Sequence, residues 1–283
     1  MIMADHLNHP SPHPKIIAVL GLLLLLSSAA CADGFNPESR LVDVGGHRLN
    51  IRCAGEGVPA VVLEAGLAND NHAWEPVEER VSGFTQVCSY DRAGLGKSDA
   101  AAGVPTSQTA SDDLHSLLSE AGIAGPVVLV GHSYGGLIVQ LYASQYPEGV
   151  AGVVLVDSLH PENLVRAAEI LGEQTMAALM LGVQGNPEGV DLTASLDRVK
   201  AAGDLGDIPL TVITAGRSEP PPFIDRNLFE RLTGSWLESQ RKLVRLSYAG
   251  VHVIAEESGH CIQCSQPALV AEVIRRMVEA ARR

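Results

Sequence analysis

The chain has 283 residues, of which 46% are hydrophobic and 19% charged, so it is long enough to bury one large α/β core with an insertion. Its formal net charge of −13 argues against nucleic acid or an anionic membrane surface as a partner, since both attract clustered Lys and Arg. Aromatic residues make up only 4%, so Leu, Val, Ile and Ala must supply most of the core.

The first 32 residues are predicted to be a secretory leader. Lys15 precedes an apolar run over 16–26, which is shorter than the ~20 residues of a membrane-spanning helix and typical of a signal-peptide core. The triplet Ala30-Cys31-Ala32 favours cleavage after residue 32. Alternatively, Ser28 to Cys31 resembles a lipoprotein box, with a leader ending at residue 30 and a lipid on Cys31. We expect export to the periplasm or the medium, with membrane contact only if Cys31 is lipidated.

Four cysteines remain after such a leader, and an even number in an oxidising compartment is compatible with two disulfides. Cys261 and Cys264 form a C-x-x-C motif, which is compatible with a local disulfide, a redox pair or half a metal site. Beyond the predicted leader, the chain has no second C-x-x-C and no H-x-x-x-H motif, so we predict no zinc site. Neither a thioredoxin-like context nor a cofactor motif accompanies the pair, so we predict no redox role and no cofactor.

The predicted elements begin with a hairpin over 40–55 that turns at Gly45-Gly46. A compact apolar strand follows at 60–63, and another strand leads into "YDRAGLGKSD" at 90–99. Apolar residues at helical spacing predict a helix between Ser107 and Ala121. These continuous apolar runs predict strands that are buried on both faces of a largely parallel sheet.

The second half of the chain continues this alternation. Strands are predicted at 127–130, in "GVVLV" before Asp157, in "IPLTVITAG" and in "VHVIAE". An amphipathic helix with Pro267 near its start closes the chain. Residues 158–207 are too long for a simple crossover and are rich in helix formers. We predict a core formed by 36–157 and 208–283, with 158–207 as a helical cap over the carboxyl edge of the sheet.

The main chemical motif is Gly131-His132-Ser133-Tyr134-Gly135, which has the G-x-S-x-G pattern between a predicted strand and a predicted helix. In that context the motif is typical of a nucleophile elbow, a tight turn that exposes a serine hydroxyl above the sheet. The backbone N–H of Tyr134, at the start of the helix, is the predicted first donor to an oxyanion.

A serine nucleophile needs a base that a third group orients. His260 lies in a loop between the last strand and the last helix, which makes it the predicted base, with His160 as its main rival. The acid is left open between two residues at strand ends: Asp157, which we favour because it directly follows a buried strand, and Glu219, which leads into a proline-rich loop.

These motifs together resemble the α/β-hydrolase superfamily, from about Leu41 to the C-terminus. The elbow, "YDRAGLGKSD", "LVDSLHPE" and "SGH" are similar to landmarks of that family. The resemblance implies an eight-stranded, mostly parallel sheet with helices on both faces and a helical cap. It also implies that the second and fourth strands pair, which makes a disulfide between Cys53 and Cys88 plausible.

The resemblance further assigns the second oxyanion donor to the loop after the third strand, which here corresponds to Leu67. Many family members have His-Gly in this loop, whereas this chain has Glu64-Ala65-Gly66. Halide-removing and epoxide-opening relatives use an aspartate nucleophile, and Ser133 argues against both reactions.

The sequence therefore predicts an exported serine hydrolase that cleaves an ester through Ser133, His260 and an acid. Amide, thioester or carbon–carbon bond cleavage, and a non-catalytic binding protein on the same fold, are the alternatives. The Ala-, Leu- and Met-rich cap suggests a small or medium apolar acyl substrate. The sequence leaves the oligomeric state open.

Overall fold

A computed structural model describes residues 37–185, 188–220 and 224–283. The predicted leader and Cys31 lie outside these residues. No helix within them combines the length and the apolar character needed to cross a membrane.

One eight-stranded sheet organises the molecule, in the spatial order β1-β2-β4-β3-β5-β6-β7-β8. The first two strands are antiparallel to their neighbours, and all pairings from β4 to β8 are parallel. The eight-stranded, mostly parallel sheet implied by the family resemblance is therefore confirmed. The strands are β1 Glu38–Asp43, β2 Arg48–Ala54, β3 Val61–Glu64, β4 Val87–Tyr90, β5 Val127–His132, β6 Val150–Val156, β7 Leu210–Ala215 and β8 Gly250–Ala255.

Helices connect the strands and cover both faces of the sheet. They are α1 Glu75–Val81, α2 Ser107–Ala121, α3 Tyr134–Gln145, α4 Asn163–Leu171, α5 Glu173–Gln184, α6 Leu192–Ala202, α7 Arg226–Val244, α8 Ile262–Ser265 and α9 Pro267–Ala281, with 3₁₀ turns at Asn71–Trp74 and Pro147–Gly149. One apolar core packs α2, α3 and α7 against the sheet, and a second packs α1, α8 and α9 against the opposite face. Strands β3, β4 and β5 are buried along their whole length, as their unbroken apolar runs predict.

Residues 158–207, which we call the inserted segment, lie between β6 and β7 and contain α4, α5 and α6. Apolar side chains of this segment pack against Leu67 and against the buried side of α3. A polar contact joins it to α2, where the Ser107 amide donates to Ser195 Oγ at 2.9 Å. The inserted segment therefore contacts both turns that the sequence associates with an oxyanion.

Two disulfides join cysteines in the described chain. Cys53 on β2 is bonded to Cys88 on β4, its direct partner in the antiparallel register. Cys261 is bonded to Cys264 immediately after His260. Such bonds persist in oxidising compartments and are rare in the cytosol of most organisms.

Candidate active site

Ser133 occupies a strained turn between β5 and α3. Its backbone has φ 53° and ψ −117°, a conformation that a residue with a Cβ rarely adopts. The turn is this tight because Gly131 and Gly135 have no side chains: a Cβ on Gly131 would lie 2.6 Å from the Gly135 carbonyl oxygen. The Ser133 amide donates to the Val156 carbonyl at 3.1 Å, which attaches the turn to the end of β6.

The same turn lies against the loop that follows β3. A Cβ on Gly135 would lie 2.5 Å from the carbonyl oxygens of both Glu64 and Ala65, so only glycine permits this approach. Tyr134 is the first residue of α3, where a backbone N–H has no acceptor within its own helix. The turn with Tyr134 and the loop with Leu67 thus approach each other closely through their backbones.

His260 and Asp157 form the main polar pair near this turn. The His260 Nδ1 atom lies 2.7 Å from Asp157 Oδ2. The Asp157 side chain is buried, and the His260 side chain keeps 14% of its surface exposed. Because Nδ1–H donates to the carboxylate, the His260 Nε2 atom is left unprotonated in the neutral ring and can accept a proton.

The second oxygen of Asp157 is held by two further donors. Oδ1 accepts from the Ala215 amide at the end of β7 at 3.1 Å and from Trp236 Nε1 at 2.9 Å. The Trp236 ring also meets the His260 ring edge-on, with 5.8 Å between ring centres. Sequence reasoning missed Trp236, and the only available signal was that it is one of two tryptophans in the chain, in an otherwise polar stretch.

Comparison with known proteins identifies the family to which this fold belongs. A family model described as the alpha/beta hydrolase fold matches residues 59–205, which is more than half of the chain. The chain belongs to the α/β-hydrolase family.

Individual relatives of this α/β-hydrolase are distant. The protein YqjL of Bacillus subtilis is 25% identical over 226 residues, covering 76% of this chain and 82% of YqjL. A thermophilic esterase from Thermogutta terrifontis, solved with malate bound, aligns with a TM-score of 0.63 and 22% identity over 86% of this chain and 99% of its own. A putative lipase from Acinetobacter baumannii aligns with a TM-score of 0.64 and 17% identity over 98% and 99% of the two chains. At these identities the two structures establish the shared fold alone.

In this α/β-hydrolase, His132 links the serine turn to the His260 loop. Its Nε2 atom donates to the His260 carbonyl at 3.0 Å, and the two rings pack at a tilt with 4.7 Å between their centres. Burial, with a smaller contribution from the neighbouring His260, lowers the pKa of His132 to about 3. His132 is therefore a neutral ring that keeps the His260 backbone next to Ser133. No motif in the sequence predicted this role.

The structure brings Asp157 and His260 into direct contact, and His132, the residue before Ser133, contacts His260 in turn. Within the described ranges, no hydrogen bond joins the Ser133 hydroxyl to the His260 ring. Such contacts are often long before a substrate binds, so the arrangement is compatible with proton transfer in a Michaelis complex.

The rival residues lie elsewhere. Glu219 is 74% exposed and pairs with Arg217 at 2.8 Å. His160 accepts from the Glu162 amide through its Nδ1 atom at 3.1 Å, at the start of the inserted segment. In the described chain, no group of three or more His, Cys, Asp or Glu side chains is arranged to hold a metal ion.

Proposed function

We propose that this α/β-hydrolase is an exported serine hydrolase that cleaves carboxylic esters through Ser133, His260 and Asp157. The observation that carries the proposal is the 2.7 Å pair between His260 Nδ1 and Asp157 Oδ2, beside a serine held in a left-handed turn. A buried carboxylate on one nitrogen fixes the tautomer of the ring, so that the other nitrogen is free to accept a proton as a base.

The reaction follows from these positions. His260 Nε2 removes the proton of the Ser133 hydroxyl as its oxygen attacks the acyl carbonyl. The oxyanion that forms accepts hydrogen bonds from the amides of Tyr134 and Leu67. His260 then donates the proton to the departing alkoxide, which leaves as an alcohol. Water, deprotonated by His260, attacks the acyl-serine and releases the carboxylic acid, and His260 returns the proton to the Ser133 oxygen.

An apolar acyl group suits the surroundings of this turn. Leu67 and Tyr134 belong to a buried apolar cluster with Ile138 of α3 and with Val190 and Leu196 of the inserted segment. We propose that the inserted segment acts as the cap over the acyl group. The esterase and putative lipase among the similar structures favour ester substrates by analogy.

Export is supported by the two cysteine pairs, which are bonded as expected in an oxidising compartment. The leader that would direct export lies outside the described residues.

The test is labelling with a fluorophosphonate probe, followed by turnover of chromogenic esters of different acyl lengths and of one thioester and one amide. Wild type should react stoichiometrically, and Ser133→Ala should neither react nor turn over ester above about one thousandth of the wild-type rate. A folded wild type that neither reacts nor hydrolyses any of these substrates would favour a non-catalytic binding protein instead. Faster turnover of the thioester or the amide would replace the ester assignment.

A further inference from the structure

A buried arginine holds the loop that follows β3, residues 65–69, which we call the β3 loop. Arg92 Nη1 donates to the Ala65 carbonyl at 2.7 Å, and Nη2 donates to the Gly66 carbonyl at 2.8 Å. Nη1 also donates to Glu64 Oε1 at 2.6 Å, and Tyr90 donates to the other oxygen of Glu64. Arg92 therefore holds the backbone of Ala65 and Gly66 together with the side chain of Glu64.

The inserted segment supplies the second carboxylate on this arginine. Glu188, between α5 and α6, accepts from Arg92 Nε at 2.5 Å and from Nη2 at 2.9 Å. The oxygen that accepts from Nη2 also accepts from the Ala68 amide at 3.0 Å. One side chain of the inserted segment thus contacts both the arginine that holds the β3 loop and the loop itself.

These contacts fix the two peptide planes on either side of Leu67. In a trans peptide, the carbonyl and the N–H point in opposite directions. The Gly66 carbonyl is held by Arg92, so the Leu67 N–H of the same plane points the other way, away from the arginine. In the next plane, Glu188 holds the Ala68 N–H and Asn69 Nδ2 holds the Leu67 carbonyl at 2.8 Å.

The backbone at Ala68 needs this support. Its φ is 59°, in the left-handed region that disfavours residues with a Cβ. Because the conformation is unfavourable on its own, a contact at the Ala68 amide contributes to keeping the β3 loop in place.

We propose that Glu188 is a positioning residue for the oxyanion site, through which the inserted segment orients the Leu67 N–H. This inference rests on the proposed function, since it assumes that Leu67 donates to an oxyanion. Glu188 acts on the β3 loop in two ways: it binds Arg92, which holds the loop carbonyls, and it accepts directly from the Ala68 amide.

The experiment uses the full chain and compares Glu188→Gln and Glu188→Asp with wild type. Glu188→Gln leaves Arg92 paired with Glu64, so its buried cation keeps a partner. Glu188→Asp keeps the charge on Arg92 but is one methylene too short to hold the Ala68 amide as well. Lys242→Met is the matched control, because it breaks another ion pair of the inserted segment, Lys242 to Glu162 at 2.6 Å, which has no part in the β3 loop.

Two measurements separate positioning from a merely structural role. Fluorophosphonate titration counts competent sites, so that kcat is expressed per active serine. The inhibition constants of a trifluoromethyl ketone, which forms an oxyanion on serine, and of its methyl ketone counterpart then report the oxyanion site directly.

Both Glu188 variants should lose about 10- to 100-fold in kcat per site, with KM changed less than threefold and with a matching loss of trifluoromethyl ketone selectivity. Lys242→Met should keep the wild-type values. Wild-type kcat per site and selectivity in both Glu188 variants would overturn the inference. Failure of wild type to react with fluorophosphonate would instead overturn the proposed function.

Discussion

The carboxylate of Asp157 accepts hydrogen bonds from His260, Ala215 and Trp236, whereas Glu219 is exposed and pairs with Arg217. Asp157→Asn should therefore lower kcat by about 10³- to 10⁴-fold, because the amide no longer selects the tautomer of His260 that accepts a proton. Glu219→Gln is the matched control and should stay within about twofold of wild type. Steady-state kinetics on one ester measures both variants. Intact turnover in Asp157→Asn with lost turnover in Glu219→Gln would reverse the assignment.

His132 should make the stability of the folded chain depend on pH. Its pKa is lowered to about 3 in the folded chain, compared with about 6.5 for an unperturbed histidine. At pH values between these two pKa values, His132 binds a proton in the unfolded chain but not in the folded chain. The free energy of unfolding should therefore fall as pH falls below 6.5, by up to about 1.4 kcal/mol per pH unit.

Urea unfolding at pH 7.5, 6.0 and 5.0 tests this contribution. His132→Gln keeps an amide donor for the His260 carbonyl but carries no titrating ring, so its stability should vary less with pH over this range. Burial also lowers the pKa of His160 and of His252, and both remain in the variant, so the difference between the two proteins isolates His132. Equal slopes in the two proteins would show that His132 is not the group responsible.

At the scale of elements, the disulfide between Cys261 and Cys264 closes the start of α8, immediately after His260. The Cys261→Ser/Cys264→Ser variant should lose about three- to tenfold in kcat, with KM little changed, because a looser loop misplaces the base. The unfolding free energy should fall by only about 1–2 kcal/mol, since the closed loop is short. Activity unchanged in this variant, and in wild type after reduction, would contradict a role in positioning His260.

Local patterns predicted many of these elements well. The helix from Ser107 to Ala121 and the closing helix with Pro267 near its start are both confirmed. The strand-to-helix turn at Ser133 and the loop after the last strand at His260 could be predicted, because each depends on residues that are adjacent in the chain. Asp157 and Glu219 remained open, because the choice depends on how far each side chain reaches across the ends of β7 and β8. Trp236 could not be predicted, since it reaches Asp157 from a helix 79 residues further along the chain.

At the scale of the whole molecule, the disulfide between Cys53 and Cys88 stabilises the antiparallel edge of the sheet, away from the serine turn. It spans 35 residues, and loop-closure entropy then predicts a loss of about 3–4 kcal/mol of unfolding free energy in Cys53→Ala/Cys88→Ala. Turnover per fluorophosphonate-reactive serine should be unchanged. Chemical denaturation together with active-site titration checks both expectations. If the unfolding free energy fell by less than it does in the Cys261→Ser/Cys264→Ser variant, the argument from loop-closure entropy would be wrong.

The contact between Gly135 and the β3 loop constrains how this scaffold can diversify. Any side chain at position 135 would strike the backbone of residues 64 and 65, so no compensating rotamer is available there. The inserted segment, by contrast, contacts the same turn through apolar side chains and not through close backbone approach. We expect new acyl preferences to arise by exchange of side chains within residues 158–207, while the residues of the serine turn and the β3 loop stay unchanged. Chimaeras that swap this segment should inherit the acyl selectivity of the donor protein, but they should keep full turnover only where Glu188 is retained.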